Sequence, residues 1–348
     1  MMKRSSQKIQ YVEHSARWVS NWLFFVFCLV IMMIVIGGAT RLTNSGLSIT
    51  EWLPIRGAIP PLSDASWLVE FEKYKKIPEF TAEHPDMEMS GFKFIYFMEW
   101  GHRQLGRIIG LAYGLPFLWL LFRRQLPAGQ ASRFVLILLL IGLQGTIGWW
   151  MVHSGLQDDR VSVSQYRLAT HLGVAFIILG LLYWNWKDSR DGWPSKTQKV
   201  SFKRRTTMLT SLVYLQIISG AFVAGTQAGK SYNSWPLMDG GIVPDGYFIM
   251  SPVWRNIFEN IPAIQFNHRL LAYIVLAVTI WVFLSTRGRH IAVHKKMRAL
   301  IAIVSVQVIL GIWTLISGAQ LSLSLLHQFT AIFVFLASLA AMRQSRMQ

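Results

Sequence analysis

The chain has 348 residues, of which 53% are hydrophobic and only 15% are charged. A soluble domain usually carries about 25% charged residues, so this composition argues against a soluble globular protein. The net charge of +17 is a feature of many nucleic-acid-binding proteins. Here, however, the basic residues alternate along the chain with long apolar runs, and we expect a membrane protein with no nucleic-acid partner.

Eight apolar stretches are long enough to cross a bilayer, which requires about 20 mostly apolar residues in a helix. Backbone groups in lipid must be hydrogen-bonded within their own element, so helices are the expected form. The first stretch has no small-residue cleavage site after it and is expected to be retained. The predicted spans lie near 18–40, 97–122, 133–152, 168–186, 207–227, 265–285, 299–318 and 323–342.

The basic residues predict the orientation of the chain in the membrane. They cluster in the two tails and in the segments 123–133, 187–205 and 287–298, whereas the acidic residues gather mainly in the other loops. The positive-inside rule places the basic segments, and both termini, in the cytoplasm. The same residues suit a contact with anionic membrane lipid. Because no Arg- and Ser-rich presequence precedes the first span, we expect a bacterial cell inner membrane rather than a mitochondrial inner membrane.

The chain contains an internal repeat. Residues 43–61 align with residues 226–244, and further on the HRQL sequence that begins at residue 102 aligns with HRLL at residue 268. Four spans in each half keep the two repeats parallel in the membrane. We therefore predict an all-α integral membrane fold, with eight transmembrane helices arranged as two tandem, similar four-helix bundles. The predicted halves are 1–190 and 191–348.

The first outer loop, from about 41 to 96, is much longer than its counterpart in the second half. It contains several prolines and an amphipathic stretch near 66–77. Long loops in compact proteins are often functional, so this loop either caps a site on the outer face or serves only for packing.

Four histidines occupy matching places in the repeat: His102, His171, His268 and His327. Each opens a helix that starts on the outer side, so all four are expected at a similar depth. Ionisable residues inside spans are costly and usually functional. Two imidazoles from facing helices suit the axial positions of a haem iron. Zinc is the main alternative metal, but it prefers three or four ligands.

The two halves differ beside these histidines. Glu99 precedes His102 by three residues, which places both on one face of a helix, and the matching residue in the second half is Gln265. A carboxyl group in such a position is a candidate for proton transfer. The alternative interpretation is an ion pair between Glu99 and Arg103 or Arg107.

Three arginines near the outer ends of the helices are candidates for binding carboxylates. Arg103 and Arg269 each follow a histidine, and Arg41 ends the first span. Arginine pairs well with carboxylates such as haem propionates. Anchoring at the membrane interface explains the same placement equally well.

Taken together, these motifs resemble the haem A synthase family, and the similarity runs from about residue 18 to residue 342. Any one motif would be weak, but the joint pattern is specific. The chain lacks the cysteine pair that one branch of the family has in an outer loop, so it resembles the branch without that pair. The segments that carry the resemblance are GGATRLTNSGLSITEW, EWGHRQLGR, RLATHLG, FNHRLLAY and LLHQFTA.

The resemblance implies an enzyme that oxidises a methyl group of haem O, through a hydroxymethyl stage, to the formyl group of haem A used by terminal oxidases. It implies that His268 and His327 are the axial ligands of a resident haem b iron in the second half. His102 and His171 would then bind the substrate haem in the first half, and Glu99 would match the family's acidic residue at the active site.

The resemblance also implies partners. Haem O is the expected substrate, a haem O synthase and an electron-transfer protein are candidate partners, and a homo-oligomer is left open. The main alternative function is a di-haem b-type membrane electron-transfer cytochrome. That alternative explains the paired histidines equally well, but it explains the Glu99 and Gln265 difference and the long first loop less well.

Overall fold

The computed structural model describes residues 2–157, 159–192, 202–288 and 290–347, and its described part is built from α-helices and short 3-10 turns. Eight of these helices are long and apolar enough to cross a membrane. Two shorter helices, α2 and α3, lie in the first outer loop. The helices are α1 (Met2–Leu42), α2 (Asp64–Tyr74), α3 (Pro78–Glu83), α4 (Met89–Phe122), α5 (Ala131–Gly155), α6 (Gln165–Asp191), α7 (Lys203–Gly225), α8 (Ile261–Thr286), α9 (Ile291–Ile316) and α10 (Leu321–Met347).

The eight predicted spans are all confirmed, and the protein is an all-α, multi-pass membrane protein. Three helices begin well before the predicted spans: α1 at Met2 rather than near 18, α4 at Met89 rather than near 97, and α9 at Ile291 rather than near 299. All three extensions carry polar or charged residues. Apolarity marks only the part of a helix that lies in hydrocarbon, so the ends that continue into the interface are missed.

The packing of the helices follows the order of the chain. In the first half α1 packs against α4 and α6, and α5 packs against α4 and α6. In the second half α7, α8, α9 and α10 pack as a ring of neighbours, and the halves meet through α6 with α7 and α1 with α10. This pattern supports the two predicted four-helix groups.

Apolar side chains fill the centre and also cover the outside. Leu23 and Val26 of α1 and Leu179 of α6 are completely buried. By contrast, Leu139 of α5 is 64% exposed and Ile309 of α9 is 63% exposed. Such exposed apolar faces are expected where helices meet lipid rather than water.

An ion-pair cluster ties three helices together at the end opposite the histidines. Asp188 of α6 is 1% exposed; it accepts hydrogen bonds from Arg133 of α5 at 2.9 Å and from Arg343 of α10 at 3.1 Å. Arg343 also donates to Asp191 at 2.8 Å. The cluster joins the last turn of the first half to the last helix of the second.

The predicted boundary between the halves falls where α6 ends. α6 runs to Asp191 and α7 begins at Lys203, while residues 193–201 of the basic connecting segment lie outside the described residues. The division at 190 and 191 therefore stays a prediction.

The first outer loop packs on α4. Its amphipathic stretch forms α2, as predicted, and Ser63 caps the start of that helix by accepting a hydrogen bond from the backbone of Ser66. Trp67 and Phe71 of α2 pack against aromatic residues of α4 such as Phe92. The apolar face of α2 thus fastens the loop to the helix that carries His102.

Candidate functional site

The four matching histidines each pack against a glycine of a neighbouring helix. A Cβ atom added to any of these glycines would lie 2.9 to 3.3 Å from the Cε1 atom of the histidine ring. Real Cβ contacts are rarely that close, so each ring occupies space that only glycine leaves open. The four contacts are Gly37 of α1 with His102 of α4, Gly148 of α5 with His171 of α6, Gly220 of α7 with His268 of α8, and Gly311 of α9 with His327 of α10.

The histidines are brought together in two pairs. His102 and His171 are close enough to interact electrostatically, and so are His268 and His327. Each pair is contributed by two helices of one half.

Three glutamines orient these histidines through the backbone. Gln144 Nε2 donates to the backbone oxygen of His171 at 2.8 Å. In the second half Gln216 and Gln307 donate in the same way to His268 and His327, at 3.1 and 3.0 Å. The repeat aligns Gln144 with Gln307, so two of these glutamines are visible as a matching pair in the sequence. Gln216 gives no such signal, because the matching residue in the first half is Met33.

The residues present fit a haem in each half. Two facing imidazoles supply the axial donors that haem iron takes from histidine. The Nδ1 atoms of His102 and His171 are buried and have no partner among the described residues. Buried polar atoms without partners are uncommon and call for an explanation such as a bound group. The glycine contacts let each ring lie against the backbone of a neighbouring helix.

Glu99 is held by three donors in the first half. It is 3% exposed; its Oε2 accepts hydrogen bonds from Ser48 Oγ at 2.7 Å and from the backbone N–H of Ile49 at 2.8 Å. Its Oε1 pairs with Arg103 at 2.6 Å. The ion pair that the sequence allowed as an alternative is therefore present, and it is combined with two bonds to the first outer loop.

The second half has the same arrangement with a neutral amide. Gln265 is 3% exposed; its Nε2 donates to the backbone oxygens of Ala228 at 2.9 Å and Tyr232 at 3.2 Å. Its Oε1 accepts from Arg269 at 3.2 Å. A carboxylate that accepts from a loop in one half is thus replaced by an amide that donates to a loop in the other. Among the described residues, the first site has a buried carboxyl group beside its histidine where the second has an amide.

Arg103 and Arg269 clamp equivalent loops. Arg103 donates to the backbone oxygens of Ile49 and Glu51, at 3.0 and 3.2 Å. Arg269 donates to those of Tyr232 and Ser234, at 2.8 and 3.0 Å. These four acceptors occupy the same positions in the repeat. Both arginines therefore fasten an outer loop to the helix that carries a histidine, and propionate binding by them stays a prediction.

Arg41 connects the two halves. At the end of α1, its Nη2 donates to the backbone oxygens of Ala224 at 3.0 Å and Gly225 at 3.2 Å, the last residues of α7. Its Nη1 donates to Asn44 at 3.2 Å, and its Nε has no partner among the described residues. Cations stabilise the carboxyl ends of helices. Arg41 therefore caps the helix that corresponds to its own in the repeat.

A second buried carboxyl lies in the first outer loop. Glu79 of α3 is 3% exposed and accepts a hydrogen bond from Tyr74 at 3.3 Å. Burial, together with the nearby charges of Glu99 and Glu83, raises the pKa of Glu79 to about 8, although the hydrogen bond from Tyr74 and the charge of Arg41 oppose the change. Sequence analysis did not single out this residue, because an acid between polar loop residues gives no sign of burial.

Comparison with known proteins identifies close relatives over nearly the whole chain. Residues 20–339 match the model of the COX15-CtaA family, described as cytochrome oxidase assembly protein. A haem A synthase of Maricaulis maris is 49% identical over 94% of this chain and 95% of its own length. One of Ruegeria pomeroyi is 46% identical over 93% of this chain and 87% of its own length. One of Beijerinckia indica is 45% identical over 97% of this chain and 96% of its own length.

Proposed function

This chain belongs to the COX15-CtaA family of cytochrome oxidase assembly proteins, and from this membership we propose how its two halves divide the synthesis of haem A. The chain is a membrane oxidoreductase that converts haem O to haem A. We infer that the first half binds the substrate and that the second half holds a resident haem b. In this reaction a methyl group of haem O is oxidised, through a hydroxymethyl stage, to a formyl group.

One observation carries the proposal. Two pairs of histidines lie at matching places in the halves, and each ring rests on a glycine of a neighbouring helix. A single histidine at a helix end would be weak support for haem, since interfacial histidines are common. Two pairs with the same glycine contacts, in a member of a family that makes haem A, support a haem in each half.

His268 and His327 suit the axial ligands of the resident haem b. Gln216 and Gln307 hold the backbone of both residues and also lie 3.2 to 3.3 Å from their ring nitrogens. A hydrogen-bonding neighbour of this kind fixes the orientation of a ligating ring. Haem b iron, when bound there, supplies reversible one-electron chemistry. The neutral Gln265 beside this pair suits a site that holds a cofactor and does not transform it.

His102 and His171 suit the binding of haem O in the first half, where Glu99 is the distinguishing residue. Oxidation of a methyl group removes electrons and protons from the substrate. A buried carboxylate near the reacting group either accepts a proton or stabilises positive charge that develops on the substrate. Arg103 and the loop residues Ser48 and Ile49 hold Glu99 in place for this role.

The cellular setting follows from the charge pattern and the relatives. We propose a bacterial cell inner membrane, with both termini in the cytoplasm and the histidine pairs near the outer face. Delivery of haem O by a haem O synthase and removal of electrons by an electron-transfer partner are part of the proposal. Assembly of this chain into a homo-oligomer is compatible with it.

The activity is tested by expressing the chain in a host that makes haem O but no haem A, followed by extraction and chromatography of the haems. Haem A, or its hydroxymethyl precursor, is the expected product. Haem B and unaltered haem O alone, with the protein present and loaded with haem, would instead support a di-haem electron-transfer cytochrome.

The role of Glu99 is tested by Glu99→Gln, which keeps the size and polarity of the side chain but removes its charge. We expect haem binding to persist, because the histidine pairs are untouched, and haem A formation to stop or to fall strongly. Glu88→Gln, at an exposed carboxyl just before the same helix, is a matched control. An unchanged yield of haem A in the Glu99 variant would remove that residue from the mechanism.

The assignment of the resident haem is tested by His268→Ala and His327→Ala. Each variant is expected to lose the low-spin haem spectrum of the purified protein, since one axial ligand is missing. His290→Ala, at a histidine between α8 and α9, serves as the control. A normal low-spin spectrum in either ligand variant would contradict the assignment.

A further inference from the structure

One glutamine links the two halves at the level of the histidines. Gln328 follows His327 on α10, and its Nε2 donates to the backbone oxygen of Ile34 on α1 at 2.8 Å. Ile34 is 4% exposed, so the bond forms among buried apolar side chains. An amide left without a hydrogen-bond partner in such surroundings destabilises the folded protein. Gln328 is therefore held against the backbone of α1.

A pair of glycines on α1 makes this contact possible. A Cβ atom on Gly38 would clash with three atoms of the Gln328 amide. The preceding residue, Gly37, is in contact with the ring of His102. Two adjacent glycines thus contact a histidine of the first half and the neighbour of His327 in the second half.

Among the contacts between the halves, those of α1 with α10 and of α7 with α6 are related by the repeat, and the link occurs in only the first of these two. Extending the repeat alignment back along α1 and α7 pairs Gly38 with Ala221. The pairing of the histidines on α6 and α10 places Leu172 opposite Gln328. Neither Ala221 nor Leu172 has a side-chain amide. The contact of α1 with α10 therefore carries a polar link that its counterpart between α6 and α7 lacks.

We propose that Gln328, which packs against Gly38, is a positioning residue for electron exchange between the two haem sites. This proposal rests on the proposed function. With haems bound, one electron would pass from Fe(II) in the first half, which would become Fe(III), to Fe(III) in the second half, which would become Fe(II); no proton or bond would be transferred. The rate of such an exchange falls steeply with separation. The hydrogen bond to α1 fixes the distance of α10, and with it His327, from His102.

Two variants perturb the link in different ways. Gly38→Ala introduces a Cβ atom into the space of the Gln328 amide, which must move away from α1. Gln328→Leu, the residue found at the repeat position, removes the hydrogen bond and leaves Gly38 as it is. Gly142→Ala is the control for the first change, because a Cβ atom there meets nothing within 4 Å. The second variant keeps the test valid if the first fails to fold.

Separation of the two helices is measured by pulsed electron paramagnetic resonance between two spin labels. The native cysteine Cys28 is exposed on α1, and Phe333→Cys, at a residue 40% exposed on α10, supplies the second position. We expect one narrow distance distribution in the otherwise unchanged protein and in the Gly142 variant. Gly38→Ala and Gln328→Leu are expected to lengthen or broaden that distribution.

Turnover and haem content are measured on the same proteins. Both variants are expected to retain both haems and an unchanged KM for haem O, while kcat for haem A formation falls several-fold. A merely structural role would lower the haem content or the yield of folded protein and leave the kcat of the loaded protein unchanged.

The possible outcomes distinguish a failure of the Gln328 role from a failure of the proposed function. Normal kcat in both variants, with or without a changed label distance, would overturn the positioning role of Gln328 alone. A protein without substitutions that forms no haem A would overturn the proposed function, and this inference with it. A lowered kcat together with loss of the resident haem would also overturn the positioning role, because Gln328 would then act through haem binding.

Discussion

Replacing Glu79 with glutamine should make the stability of the closed first outer loop independent of the pH. The Glu79 carboxyl is buried in this loop, and burial is the main reason that its pKa rises from the usual 4.5 to about 8. Below pH 4.5 the group is protonated whether the loop is closed or open. Above that value the open loop releases the proton while the closed loop keeps it. The closed loop therefore binds more protons, and its stability falls as the pH rises from about 4.5 to about 8.

The size of the effect follows from the same values. The two pKa values differ by about 3.5 pH units, and each unit corresponds to about 1.4 kcal/mol. The closed loop should lose about 5 kcal/mol of stability across this range and nothing further above about pH 8. Within the range, each pH unit should raise the equilibrium constant for loop opening about tenfold. Glu79→Gln cannot ionise, so its loop should show no such slope.

Hydrogen exchange of the amides in 64–83 measures this opening, after correction for the exchange rate of the same peptide when unfolded. Glu72→Gln is the matched control, since Glu72 lies in the same loop with a side chain that is 53% exposed, and it should leave the slope unchanged. Protection that is independent of pH in the unsubstituted protein would refute the reasoning. The same slope in the Glu79 variant would show that another group is responsible.

Two further predictions concern packing and charge. Gly311→Ala should drive the ring of His327 from its place, because the new Cβ atom would lie 2.9 Å from Cε1. The low-spin haem spectrum of the purified protein should then be lost, whereas Gly145→Ala, where a Cβ atom meets nothing within 4 Å, should retain it. Asp188→Asn should leave two arginine partners without their buried carboxylate and cost about 3 kcal/mol or more. Thermal inactivation should show a clear loss, larger than that of Asp191→Asn at a half-exposed position; equal losses would contradict the importance of burial.

The placement of the histidines was largely predictable from the sequence. Hydrophobic length identifies a span without any tertiary information, and the repeat then places His102, His171, His268 and His327 at equivalent depths. The asymmetry between Glu99 and Gln265 is equally visible in the aligned motifs. Each of these conclusions depends only on residue type and on position along the chain.

The partners of those residues were not predictable in the same way. The sequence left Glu99 between a proton-transfer role and an ion pair, and the structure shows the pair with Arg103 together with two loop donors. Propionate binding or interface anchoring by Arg41 stays a prediction, and its role as a cap of α7 was seen only in the structure. Partners of this kind depend on which helices become neighbours, and hydropathy does not contain that information.

By itself, the sequence determined that the chain crosses the membrane eight times, which residues its halves share, and which family it resembles. The bilayer imposes these features one span at a time, because each helix must be long and apolar enough and must satisfy its own backbone. Only the tertiary structure decided that Glu79 is buried and that Gln328 rests on Gly38 against α1. Burial and close contact are properties of pairs of elements, and they arise only when residues far apart in the chain are packed together.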